Sequence, residues 1–117
     1  MELSLLHQAP VRFAKEVISI DADMAVVKNE FTSVPSLSML IEAAAQSSAA
    51  FNDVDARGKM GYLTSLKNIK LLSSPTSLEY DIHITLGNKI NNIGNFSFEA
   101  KQLDTVIATG SFVVVSL

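Results

Sequence analysis

The stretch Ser36–Asn52 (SLSMLIEAAAQSSAAFN) holds no Gly or Pro and carries Ala at 43, 44, 45, 49 and 50. Leu37, Met39, Leu40 and Ile41 add bulk, and Ser36, after Pro35, is placed to cap a helix. The pattern predicts one helix of roughly 25 Å at about 1.5 Å per residue. It is apolar almost all round, so it needs cover on most sides. The remaining segments alternate apolar and polar residues as strands do. A fold built from this chain must therefore wrap a sheet around a single helix.

The strands can be read individually. Val11–Asp21 and Met24–Phe31 predict a hairpin turning at Asp21-Ala22-Asp23. After the helix, Asp53–Lys59 is polar and predicts a loop. Tyr62–Leu72 is the next strand, broken by Ser73-Ser74-Pro75. In Leu78–Leu86, Tyr80, Ile82, Ile84 and Leu86 face one side and Asp81, His83 and Thr85 the other. Gly87-Asn88 is the expected turn. Ile93–Lys101 sets Phe96, Phe98 and Ala100 on one face, and Leu103–Leu117 closes the chain. The expectation is an α+β hotdog fold: a curved antiparallel sheet of five to six strands around one long central helix, with residues 1–117 as a single domain.

Composition excludes several functions. There is no Cys among 117 residues, which removes disulfides, thiolate zinc sites and Cys nucleophiles. The net charge is −3, and the nine Lys and Arg are scattered, so no basic face for nucleic acid is evident. No apolar run approaches the roughly 20 residues of a membrane span, and no signal peptide is evident, so the chain reads as cytoplasmic. No metal, flavin or nicotinamide motif is present, and the expectation is no cofactor and no metal.

Glu42 is the residue that does not fit its surroundings, Met39-Leu40-Ile41-Glu42-Ala43-Ala44-Ala45. A buried carboxylate is costly unless it finds donors or a proton. Either it leaves the core through a polar stripe of Ser38, Glu42 and Gln46, or it sits at a cleft lip and does acid–base work. Gln46, one turn on, is a solvated residue, a support for Glu42 or a contact for a substrate amide.

Two stretches carry a family resemblance. Leu6-His7-Gln8-Ala9-Pro10, running into Val17-Ile18-Ser19-Ile20-Asp21, resembles the opening of the hotdog 3-hydroxyacyl-acyl-carrier-protein dehydratases. Leu40-Ile41-Glu42-Ala43-Ala44-Ala45-Gln46 resembles their central helix signature, in which the Glu is catalytic. The resemblance implies a site between two subunits and an acyl tunnel beside the helix; the Ala-rich stripe is equally well read as close packing. The family's catalytic His-Phe-Pro-Gly turn is absent. Lys28 to Ser36 contains no His and no Gly, and Val34-Pro35 before the helix looks like the dehydratase-like subunits of aryl polyene clusters. His7 and His83 are the only histidines, and both read as ordinary turn or strand residues.

The resemblance implies a dehydratase-like protein that binds thioesters on acyl-carrier protein or CoA in fatty acid, polyketide or aryl polyene synthesis. Glu42 is its catalytic candidate. Ser36 and Leu37 at the helix N-terminus, with Gln46 and Tyr62, are substrate-binding candidates. Without the His, activity falls or depends on a partner, so the expected assembly is a homodimer or a heteromer with a related hotdog subunit. The terminal strand, rich in Val113, Val114 and Val115, is expected to pair at a sheet edge. A hotdog thioesterase and a non-catalytic acyl-binding or structural subunit remain open. Arg57, Lys59, Lys67 and Lys70 form either a basic lip for a carrier or a solvated face.

Overall fold

A computed structural model describes residues 12–51 and 61–116. The elements are β1 (Ala14–Ile20), β2 (Met24–Glu30), α1 (Leu37–Ser47), a 3-10 turn (Ser48–Phe51), β3 (Gly61–Leu71), β4 (Glu79–Ile90), β5 (Ile93–Gln102) and β6 (Thr105–Ser116). The strands form one antiparallel sheet in the order β1-β2-β4-β5-β6-β3. The opening Leu6-His7-Gln8-Ala9-Pro10 and the expected loop Asp53–Lys59 lie outside the described residues.

The β1–β2 hairpin forms as its sequence predicts. The Asp21 Oδ1 accepts from the backbone N–H of Asp23 and Met24 at 3.2 and 3.0 Å, a side-chain closure typical of Asp turns. On the helix side of the sheet, alternation delivers Ala25, Val27 and Asn29 from β2, then Tyr80, Ile82 and Ile84 from β4. Phe96, Phe98 and Ala100 follow from β5, and Ala108 and Phe112 from β6; all are buried. Leu40, Ala43 and Ala44 of α1 pack with the β4, β5 and β6 residues, whereas Val27 packs with Ala14 and Val17 of β1. Gly110 of β6 is required by space: a Cβ there would collide with the Ile69 side chain and lie 3.0 Å from the Phe98 ring.

Four expectations are corrected. The helix is not long. α1 has 11 residues and continues only as a four-residue 3-10 turn. The cause is local: the Ser47 and Ser48 hydroxyls donate back to the Ala43 and Ala45 carbonyls at 2.8 and 2.6 Å, and such bonds compete with the α-helical ladder. Leu40, Ala43, Ala44, Gln46 and Ser47 are buried, Ser38 is exposed, and Ile41, Glu42 and Ala45 are half-buried.

Gly87-Asn88 is not a turn but an irregularity within β4, which runs on to Ile90; the chain reverses at Asn91-Asn92. Asn91 takes a φ of 55°, which Asn tolerates better than most residues. Leu103 likewise belongs to the β5–β6 turn, with a φ of 56°, and not to the last strand. Finally, β6 is not an edge strand. It pairs with β5 on one side and β3 on the other, so Val113–Val115 have no free edge. Among the described residues the sheet ends at β1 and β3.

Candidate functional site

Ser36 caps α1 as its sequence predicts. Its backbone is extended (φ −81°, ψ 169°), and its hydroxyl accepts from the Met39 N–H at 3.3 Å. The same oxygen lies 3.1 Å from the Ser38 hydroxyl. The Ser36 carbonyl accepts from the Leu40 N–H at 3.1 Å, which starts the ladder. The amides of Leu37 and Ser38 precede any intrahelical partner, as first-turn donors must. The Leu37 side chain packs against the main core cluster.

Glu42 lies in the second turn of this helix and is half-buried. Its neighbours one turn away are Ser38 and Met39 before it, Ala45 and Gln46 after it. Ile41 and Ala45, on either side, pack against the core. Among the described residues Glu42 makes no hydrogen bond and no ion pair, although several donors are on the chain. The acid is therefore uncommitted, on the half-open side of an apolar helix.

Gln46 is the opposite case. It is 4% exposed, and its Oε1 accepts from the backbone N–H of Phe13 at 2.7 Å and of Ala14 at 3.2 Å. It ties the start of β1 to the helix, so the solvated reading is corrected. Sequence reasoning missed its companions, Asn29 and Ser47. The Asn29 Nδ2 donates to the Val27 carbonyl and to the Ser47 hydroxyl, both at 3.0 Å. Its Oδ1 is buried with no partner. A polar residue at a strand position that alternation assigns to the core was the available signal.

His83 does not supply the missing base within this chain. Ile82 and Ile84 point to the helix side, so His83 between them points to the other face. There it lines an open cavity of about 490 Å³ with Lys70, Thr85, Ser97, Glu99, Thr109 and Ser111. Burial, and then Lys101, hold its imidazole below the ordinary histidine range, against the pull of Glu99 and Asp81. β4 is an interior strand, so His83 is not an edge residue. His7 lies outside the described residues.

A second cavity, of about 260 Å³, is lined by Ser65, Lys67, Asn95, Ser97 and Ser111 among others. Glu42 lines neither of these two cavities. Ala43 and Ala44 are fully buried against the sheet, as the close-packing reading of the Ala stripe expects. Tyr62 pairs with Val115 in the β3–β6 ladder, and its side chain lies outside what is described. Arg57 and Lys59 also lie outside the described residues. Among the described residues no cluster of three metal-ligating side chains occurs, and no helix is long and apolar enough to cross a membrane.

Comparison with solved structures decides the architecture. The dehydratase heterocomplex ApeI:P from Xenorhabdus doucetiae superposes with a TM-score of 0.83 at 18% identity, over 97% of this chain and 88% of that one. The fold is the hotdog. A hypothetical thioesterase from Streptococcus pneumoniae, solved with coenzyme A, matches with a TM-score of 0.64 at 13% identity, over 87% of this chain and 84% of that one. The PaaI protein of the E. coli phenylacetic acid degradation operon gives 0.64 at 16%, over 87% and 78%. No family model and no curated protein sequence matches the chain. At these identities the likeness is one of hotdog fold.

Proposed function

We propose that this chain is an acyl-thioester-binding hotdog subunit that supplies Glu42 as an acid to a site completed by a second chain. The observation that carries the reading is Glu42 itself: an uncommitted, half-buried carboxyl on the open side of the helix, with His83 on the far side of the sheet. Elimination of water from a 3-hydroxyacyl thioester needs a base for the proton beside the carbonyl. It also needs an acid for the departing hydroxyl and donors for the carbonyl oxygen. This chain offers the acid, and the first-turn amides of α1 offer donors at the positive end of a helix dipole. Ser36 and Leu37 set that end, and Tyr62 remains a substrate-binding candidate, whereas Gln46, buried and holding the Phe13 and Ala14 amides, acts only by positioning the helix against β1. The base then comes from the partner. The heterocomplex among the structural neighbours is a dehydratase by its name, which supports a two-chain arrangement.

The test is hydration of a crotonyl thioester, on acyl-carrier protein or CoA, by this protein alone and with a His-bearing hotdog dehydratase. Turnover by the pair, lowered at least about 100-fold by Glu42→Gln, is the expected result. Full activity of the Glu42→Gln pair removes the acid role. A thioesterase reading is supported by the CoA-bound neighbour. Release of free thiol without any change at the double bond would decide for it. Binding of thioester without either reaction identifies a non-catalytic subunit.

A further inference from the structure

The outer face of the sheet, away from α1, has a floor and a rim. Register sets Thr85, Ser97 and Ser111 in one row across β4, β5 and β6, with Lys67 of β3 at its end. The next row runs His83, Glu99, Thr109 and Lys70. Short hydroxyl side chains in the middle, with longer ones at either end, leave a hollow. It comprises the two cavities of about 490 and 260 Å³, which share Ser97 and Ser111 in their linings.

A regular strand would not give this rim two lysines. Lys67 and Lys70 are three residues apart, and strict alternation would send them to opposite faces. The register break between them sets three steps of β3 against two of β6, from Ser111 to Thr109. Asn68 lies in the break at a φ of 54° and also lines the hollow. Ile69 still packs against the core. A bulge disrupts the ladder and re-aims side chains, and positive φ at a non-glycine residue adds strain. Here the bulge sets two ammonium groups on one side of the hydroxyl floor, at strand positions roughly 7 Å apart.

The polar side chains of these two rows make no hydrogen bond or ion pair among the described residues. The lysines offer two positive charges, and the hydroxyls of Ser111 and Thr109 stand opposite them. A phosphate monoester carries about −1.5 to −2 charges at pH 7 and takes donors of this kind. Glu99 stands two strand spacings from β3, roughly 10 Å and about a Debye length, so it opposes the anion weakly. It is an acceptor for hydroxyl groups instead. Burial, and then Lys101, keep the imidazole of His83 neutral near pH 7. Phe96, Phe98 and Phe112 are buried, so their rings do not offer a face on which a base could stack. We infer that the outer hollow binds a sugar phosphate, its phosphate between Lys67 and Lys70 and its hydroxyls on Glu99, His83 and Thr85. The site lies across the sheet from α1 and does not rest on the Glu42 reading.

The probes are glucose 6-phosphate, inorganic phosphate and glucose, added to the full chain at fixed ionic strength while backbone amide chemical shifts are followed. Glucose 6-phosphate is expected to shift Ser97, Thr109 and Ser111 and to bind at least about tenfold tighter than either of the other two. The double variant Lys67→Met/Lys70→Met, its folding checked by circular dichroism, is expected to lose about tenfold or more for both phosphates. Glu99→Gln is expected to weaken glucose 6-phosphate and to leave inorganic phosphate no weaker. Inorganic phosphate bound as tightly as glucose 6-phosphate overturns the inference, because the floor then reads no sugar. No saturable shift with either phosphate, shifts confined to other parts of the chain, or undiminished binding by the double variant overturns it as well.

Discussion

On the helix side of the sheet, polar groups are few and committed. Asn29 is fully buried and donates to Val27 and Ser47; the Ser47 hydroxyl donates to the Ala43 carbonyl; Gln46 accepts from two backbone amides of the first strand region. On the outer side they are many and uncommitted to the backbone. Asp81 pairs across the sheet with Lys101, His83 with Glu99, and Thr85 with Ser97, all in an open setting. The inner polar groups fix where β1, β2 and α1 meet, because each unmade bond there costs a desolvated donor or acceptor. The outer ones shape a surface, and exposed pairs of this kind contribute little. Glu42 belongs to neither set, and that separates it as a functional candidate.

The comparison breaks most sharply at Asn29. Replacing it by Asp removes both donors and buries a charge without a partner, a loss of about 3–5 kcal/mol or more that should leave the domain largely unfolded in a denaturant titration. If Asn29→Asp folds as well as wild type, the inner network is not what joins β2 to the helix. Gln46→Leu comes next. It keeps the volume but strands the Phe13 and Ala14 amides, for about 1–3 kcal/mol per unsatisfied group. Chemical denaturation should show this loss, while Ser97→Ala on the outer face should stay within about 0.5 kcal/mol.

Much of this organisation is legible in the sequence, and the exceptions have physical causes. Period-two patterns gave Ile82/Ile84 and Phe96/Phe98 their faces, because alternation of burial in a half-covered sheet is a direct geometric consequence of the pleat. Ser36 declared the helix start through its cap. The end of the helix was hidden because Ser47 and Ser48 act through hydroxyl-to-carbonyl bonds that composition does not display. Gly87-Asn88 misled because a glycine inside a strand can mark a bulge as readily as a turn. The edge position of β3 was hidden by topology: nothing local in Val113–Val115 says that two strands will flank them. At the site, Glu42 stood out because a carboxyl in an apolar helix is conspicuous. Asn29 did not, because its partners lie on a different element.

The smallest effects are the sharpest test of how Glu42 and His83 differ. Glu42→Gln removes no hydrogen bond or ion pair that the described residues make, so stability should change by no more than about 0.5 kcal/mol. A large loss would mean that Glu42 holds the fold together. His83 differs in kind. Its folded-state affinity for a proton is lowered, first by burial and then by Lys101. Above the ordinary histidine value of 6.5 both folded and unfolded chains hold it neutral, and it adds no pH dependence. As pH falls through 6.5 the unfolded chain takes the proton first, so stability declines, and the decline is complete only below the lower folded value. His83→Asn lacks this titration. Between pH 7.5 and 5, wild type should therefore lose slightly more Tm than the variant. Asp81 and Glu99 oppose the shift, so neutralising Glu99 should widen that gap. An unchanged difference across the range would show the outer face to be fully solvated at this position, and the contrast between the two sides would rest on the inner network alone.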